Sequence, residues 1–159
     1  MQRYHSAVTI LALAAGLFLA GSASAATAIA DPAAFVRSVY ARLAKGGDYI
    51  PPEDVYSPRL NTLFAGEQRD AKGEVGRIDF LFWINGQDGQ PSAVKVTASP
   101  VEGRPDRQIV VAKFVNEKPQ TIDFYFERVG GAWKLDDAVS LTPGDEWTLS
   151  VILKYGWPS

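Results

Sequence analysis

Across residues 107–139 the chain alternates apolar and polar side chains in three successive segments separated by short turns, and this pattern most limits the folds open to it. In the middle segment Ile122, Phe124 and Phe126 share one face and Thr121, Asp123, Tyr125 and Glu127 the other, the period-two signature of a half-buried strand. Gly130-Gly131 follows where a two-residue hairpin loop needs residues tolerant of positive φ. The alternation then resumes, with Trp133, Leu135, Asp137 and Val139 opposite Ala132, Lys134, Asp136 and Ala138. Residues 108–116 are apolar on both faces, which predicts a central strand covered on each side. Ahead of it, Val94, Val96 and Ala98 alternate with Lys95, Thr97 and Ser99 in a first strand, broken by Pro100 and a loop over 102–106. The result is a four-stranded antiparallel meander.

Helical spacing lies on either side of it. Asp31-Pro32 reads as an N-cap followed by proline at the first helical position, and Phe35, Val36, Val39, Tyr40 and Leu43 form one apolar stripe before Lys45-Gly46-Gly47. Residues 48–56 contain Pro51-Pro52 and form a connector. Ser57-Pro58 repeats the helix start, with Leu60, Leu63 and Phe64 on one stripe that fades by Gly73. Residues 74–91 carry a dense aromatic run that fits a single helical turn or a short strand, then two turn dipeptides, Asn85-Gly86 and Asp88-Gly89. Thr142-Pro143-Gly144-Asp145 has a helix-start composition, and the helix it opens ends at Gly156. The expected architecture is α+β, a curved four-stranded antiparallel sheet with helices packed on one face, in the outline of the nuclear-transport-factor-2-like and cystatin-like cone folds.

The N-terminus has the layout of a cleaved signal peptide over residues 1–25: Arg3, an apolar run over residues 7–20, and the small residues Ala23, Ser24 and Ala25. The run's 14 residues fall short of the ~20 that span a bilayer. A single α+β domain over residues 26–159, periplasmic or secreted, with no later membrane span, is therefore expected. Cleavage removes His5, the one histidine, and the sequence has no cysteine. The mature chain then lacks Cys and His nucleophiles, a Ser-His-Asp triad, thiol redox chemistry and the usual ligands of zinc, copper or haem. No cofactor, no metal site and no catalytic residue is expected. Net charge falls from −2 to −3 on cleavage, without a basic patch for nucleic acid.

The helix start at Asp31, Ile78-Asp79-Phe80 followed by Gly86-Gln87-Asp88, the strand over 111–116 and Gly131-Ala132-Trp133-Lys134-Leu135-Asp136-Asp137 together resemble the DUF3828-type family of small bacterial envelope proteins. The resemblance covers about residues 31–155 and implies a fold rather than an activity. Several members are lipoproteins, a pattern from which this chain departs because it has no cysteine after its signal.

Six residues stand out as ligand or partner contacts: Trp83, Gln87, Asp88, Trp133, Asp136 and Asp137. In a regular strand Asp136 and Asp137 face opposite ways, and Asp137 shares the side of Trp133 and Leu135, where a carboxylate needs a partner. It reads either as a structural tie to backbone amides of the aromatic segment or as the rim of a pocket. Asn85, Gln87 and Asp88 offer oxygen ligands to a hard cation such as calcium, although turn chemistry accounts for the same residues. Asp123 and Glu127, ~13 Å apart along one strand face, are too far apart for the ~5 to 10 Å of a glycosidase pair. The large aromatics read mainly as core, with Phe82 and Trp83 as the alternative lining of a cavity between sheet and helices. The leading expectation is a non-enzymatic exported protein that binds another envelope protein as an accessory or inhibitor module. The alternatives are a carrier of a small hydrophobic ligand in a cone-shaped pocket, and an enzyme working through carboxylates alone.

Overall fold

The computed structural model describes residues 28–46 and 49–157. The signal peptide expected over residues 1–25 lies outside them, as do Gly47 and Asp48 of the first connector. The chain runs through α1 (Pro32–Leu43), a 3-10 turn (Glu53–Val55), α2 (Pro58–Ala71), β1 (Ser92–Val101), β2 (Arg104–Asn116), β3 (Lys118–Val129), β4 (Ala132–Ser140), β5 (Trp147–Thr148) and α3 (Leu149–Tyr155). The strands pair antiparallel in chain order as an open sheet, so the architecture is α+β.

Local chemistry sets the ends of the first two helices. Asp31 Oδ1 accepts from the Ala34 N–H at 3.0 Å and Ser57 Oγ from the Leu60 N–H at 3.0 Å, and each cap is followed by a proline that already has helical φ. The buried stripe of α1 lies against the sheet. The Tyr40 ring sits 5.0 Å from Phe114 and 6.4 Å from Phe124, and Phe35 meets Phe126 edge-on at 6.3 Å. Burial pushes the Tyr40 hydroxyl well above the ordinary phenol range, so it stays protonated and donates to the Trp83 carbonyl at 2.7 Å.

The sheet corrects several expectations. Among the described residues it has five strands, not four. Thr142-Pro143-Gly144-Asp145 forms a turn closed by the Asp145 N–H on the Thr142 carbonyl, and Trp147-Thr148 then pairs with Ser140 and Val139 before α3 begins. Pro100 does not end β1, because an edge strand tolerates a residue without an N–H, and Glu102-Gly103 makes a tight hairpin in place of the loop over 102–106. β2 is interior to the sheet yet covered on one face only. Val110, Ala112 and Phe114 are buried, whereas Ile109 and Val111 are half-buried and Val115 is exposed. The β-branched residues on its outer face express strand preference rather than coverage.

β4 carries the most consequential departure. Tyr125 pairs with Asp137 but Phe126 pairs with Leu135, which leaves Asp136 as an extra residue. This bulge shifts the alternation by one. Trp133 and Leu135 are buried before it, Ala138 and Ser140 after it, and Asp137 falls on the row of half-buried Tyr125. The buried carboxylate of the pair is therefore Asp136 rather than Asp137.

Candidate functional site

The aromatic segment forms a closed loop, neither helix nor strand. The Leu81 N–H donates to the Gly86 carbonyl at 2.9 Å and the Ile84 N–H to the Leu81 carbonyl at 3.1 Å. Side chains from the sheet fix its far end. Asn116 Nδ2 donates to the Ile84 carbonyl at 3.0 Å, Asn85 Nδ2 to Gln120 at 2.9 Å, and the Trp147 indole to Asn85 Oδ1 at 2.6 Å. Gly89 is required beside this network: a Cβ there would sit 2.1 Å from Asn116 Oδ1, and its φ is +120°. So held, the loop buries Phe82, Trp83 and Ile84. Trp83 stacks on Phe124 at 4.6 Å and 23°, lies 5.2 Å from Phe82 and meets Phe35 edge-on at 6.2 Å. With its carbonyl held by Tyr40, it is a rigid platform.

Trp83 lines a half-open cleft of about 560 Å³ between α2, the connector over 49–56 and residues 78–83. That volume lies within the range of small-molecule sites, ~300 to 1,000 Å³. Its apolar walls include Ile50, Tyr56, Phe64, Ile78 and Phe80, and the Tyr56 and Phe64 rings lie 5.3 Å apart. Glu53, Asn61 and Gln68 supply its polar lining, with Asn61 Nδ2 donating to the Glu53 carbonyl at 3.1 Å. The Trp83 indole N–H is buried and meets no hydrogen-bond partner among the described residues. Such an orphan donor costs ~1 to 3 kcal/mol. Burial pushes the Tyr56 hydroxyl up to about 12, and the neighbouring indole N–H pulls it the other way without reaching hydrogen-bond geometry.

Of the six residues singled out from the sequence, Trp83 alone lines this cleft. Gln87 and Asp88 are exposed in the next loop, where they border a polar depression of about 460 Å³ with Asn116, Lys118 and Asp145. Asn85, expected beside them as an oxygen ligand, is committed to Gln120 and Trp147, and no metal-ligand cluster of three His, Cys, Asp or Glu occurs among the described residues. Trp133 packs in the core, its N–H on the Ile29 carbonyl at 3.1 Å and the Arg128 guanidinium 5.0 Å over its ring.

Asp136 and Asp137 hold elements together. Asp136 accepts from Ser57 Oγ at 2.7 Å, Arg59 Nε at 3.0 Å and Arg107 at 3.0 Å, and Arg107 also reaches Glu127 at 2.8 Å. Burial by itself would raise the Asp136 carboxyl, but hydrogen bonds from Arg59, Ser57 and Arg107 outweigh it and hold its pKa below the ordinary range. Asp137 accepts from the Ser150 N–H at 3.0 Å and the Ser150 hydroxyl at 2.5 Å, capping α3 from a neighbouring strand rather than tying down the aromatic segment. On the same outer face, Asp123 Oδ1 is sealed from water and meets no hydrogen-bond partner among the described residues. Burial raises its pKa, partly offset by Lys113.

Tyr56, Phe64 and Ile50 do not stand out in the sequence as site residues. The signal available for them is that α2 has an apolar stripe of which only Leu60 is fully buried, so Leu63 and Phe64 are left partly uncovered beside the proline-rich connector.

Comparison with protein-family models, curated proteins and solved structures finds no match. Among the described residues no helix is long and apolar enough to cross a membrane.

Proposed function

We propose that the protein binds a small apolar molecule in the cleft beside Trp83 and does not transform it. One observation carries this reading: an aromatic-walled cleft of about 560 Å³ with a buried, unpartnered indole N–H in its lining residue Trp83. Native proteins leave few such donors orphaned, and one beside a pocket calls for a partner that the protein itself does not supply. The carboxylates give less support to an enzyme. Asp136 and Asp137 are occupied by Arg59 and Ser150, and Glu127 by Arg107. With this reading go an exported protein, a cone-like sheet of the nuclear-transport-factor-2-like kind, and kinship with the DUF3828-type envelope family.

The test is titration with Nile red, an uncharged apolar dye. One equivalent should bind with a blue shift, and Ala65→Trp, which fills the cleft from the exposed side of α2, should abolish binding without lowering the melting temperature. Undiminished binding by the variant refutes the reading.

A second reading, docking of an envelope protein on the outer sheet face, is favoured by a different observation. There Asp123 presents a sealed, unpartnered oxygen among half-buried Val111, Tyr125 and Val139.

A further inference from the structure

We infer that the cleft selects uncharged molecules that carry a hydrogen-bond acceptor, of the ketone, ester or amide class, over carboxylates and over plain hydrocarbons. The inference rests on the proposed ligand-binding reading and adds to it the polarity of the ligand.

Two features of the cleft lead to it. Its polar lining is chemically one-sided: among the described residues Glu53 is the one charged side chain, and no lysine or arginine lines it. Two cations on adjoining segments are already engaged. Arg77 is paired to Asp70 at 2.8 Å and reaches the Leu153 carbonyl at 3.0 Å, and the Lys134 ammonium donates to the Asp54 carbonyl. An anionic head group would therefore leave water without a counter-charge and meet Glu53 as a like charge.

The second feature is the pair formed by Trp83 and Tyr56. The indole N–H can only donate, and it lacks an acceptor. The adjacent Tyr56 hydroxyl keeps its proton at any physiological pH, since burial holds its pKa at about 12. A ligand acceptor that receives a hydrogen bond from the Tyr56 O–H turns that hydroxyl toward the cleft and leaves a phenol lone pair facing the Trp83 indole, so one ligand oxygen completes a chain of two hydrogen bonds. A hydrocarbon of the same shape offers the Tyr56 O–H no acceptor and leaves the chain unmade. An alcohol or amine gains only through its lone pair.

Three probes of nearly equal size test this on the full chain: 2-acetylnaphthalene, 2-ethylnaphthalene and 2-naphthoate. Titrations are followed by the indole ¹H–¹⁵N resonances of the four tryptophans, with that of Trp83 assigned by triple-resonance spectroscopy. The ketone should bind about tenfold more tightly than the ethyl compound, which corresponds to one satisfied buried donor, and should move the Trp83 indole proton downfield. The carboxylate should bind most weakly. Tyr56→Phe, which keeps the ring, should bring the ketone down to the level of the ethyl compound, and Glu53→Gln should improve carboxylate binding about two- to threefold, since Glu53 is solvent-exposed. Equal affinities for ketone and ethyl compound, or a carboxylate that binds as well as the ketone, overturn the selectivity and leave the cleft a hydrophobic site. Failure of all three probes to bind overturns the ligand-binding reading as well.

Discussion

The Tyr40 hydroxyl donates to the backbone carbonyl of Trp83 at 2.7 Å, joining the last turn of α1 to the aromatic loop across 43 positions of sequence. Both residues are buried, and Trp83 also stacks on Phe124 of β3, so helix, loop and sheet meet at one point. Trp83 therefore has little freedom to turn. That rigidity is what makes a wall of the cleft out of a residue that belongs equally to the core.

Tyr40→Phe should therefore cost about 1 to 3 kcal/mol, because it leaves the Trp83 carbonyl without its buried donor. It should also weaken Nile red binding several-fold without removing any side chain from the cleft. Chemical denaturation and dye titration of the same variant check both effects.

Trp133→Ala separates core from site. The residue is buried, bridged to Ile29 and covered by Arg128, so truncation should cost about 3 to 5 kcal/mol. Because Trp133 does not line the cleft, the affinity of the folded fraction for Nile red should be unchanged. A loss of affinity at full folding would place Trp133 in the site.

Asp136 makes stability depend on acid. Its folded pKa lies below the ordinary carboxyl value, so folding favours the ionised form. The contribution is complete above the unfolded value of ~3.9 and disappears as pH falls through the folded one. Asp136→Asn should lower stability near neutral pH and flatten the acid limb of the stability curve below pH ~4. Thermal melts from pH 2 to 7 check it, and parallel curves for wild type and variant would refute it.

Asp123 has the opposite sign. Burial raises its folded pKa, so its protonated form is favoured by folding and the associated stability is lost as pH rises through that value. Asp123→Asn should raise the melting temperature slightly at pH 7, by about 1 to 2 °C for a partly solvated group, and leave it unchanged at pH 3. A lower melting temperature at pH 7 would mean that the carboxylate has a partner there.

The legible parts of the fold are those where one local rule acts alone. Asp31-Pro32 and Ser57-Pro58 start helices because cap and proline both act within one turn, and Gly130-Gly131 makes its hairpin with φ of +58° and +86°. Illegible parts are those where a distant partner decides. The bulge at Asp136 depends on Ser57 and Arg59, nearly eighty positions away, which reward a buried carboxylate that period-two alternation cannot anticipate. β5 is two residues long, too short for any periodicity, and forms because Val139 and Ser140 offer an edge. Trp83 could be read as a cavity residue from its aromatic neighbourhood. Tyr56 and Phe64 could not, because the cleft exists only once α2 is set against residues 78–83.

A crystal structure of the protein soaked with 2-acetylnaphthalene tests the account most directly. The naphthalene ring should lie between Phe64, Phe80 and Trp83, with the ketone oxygen at hydrogen-bond distance from the Tyr56 hydroxyl. A cleft closed by α2 against Phe80, or a probe bound only on the outer sheet face beside Val111 and Tyr125, would contradict it.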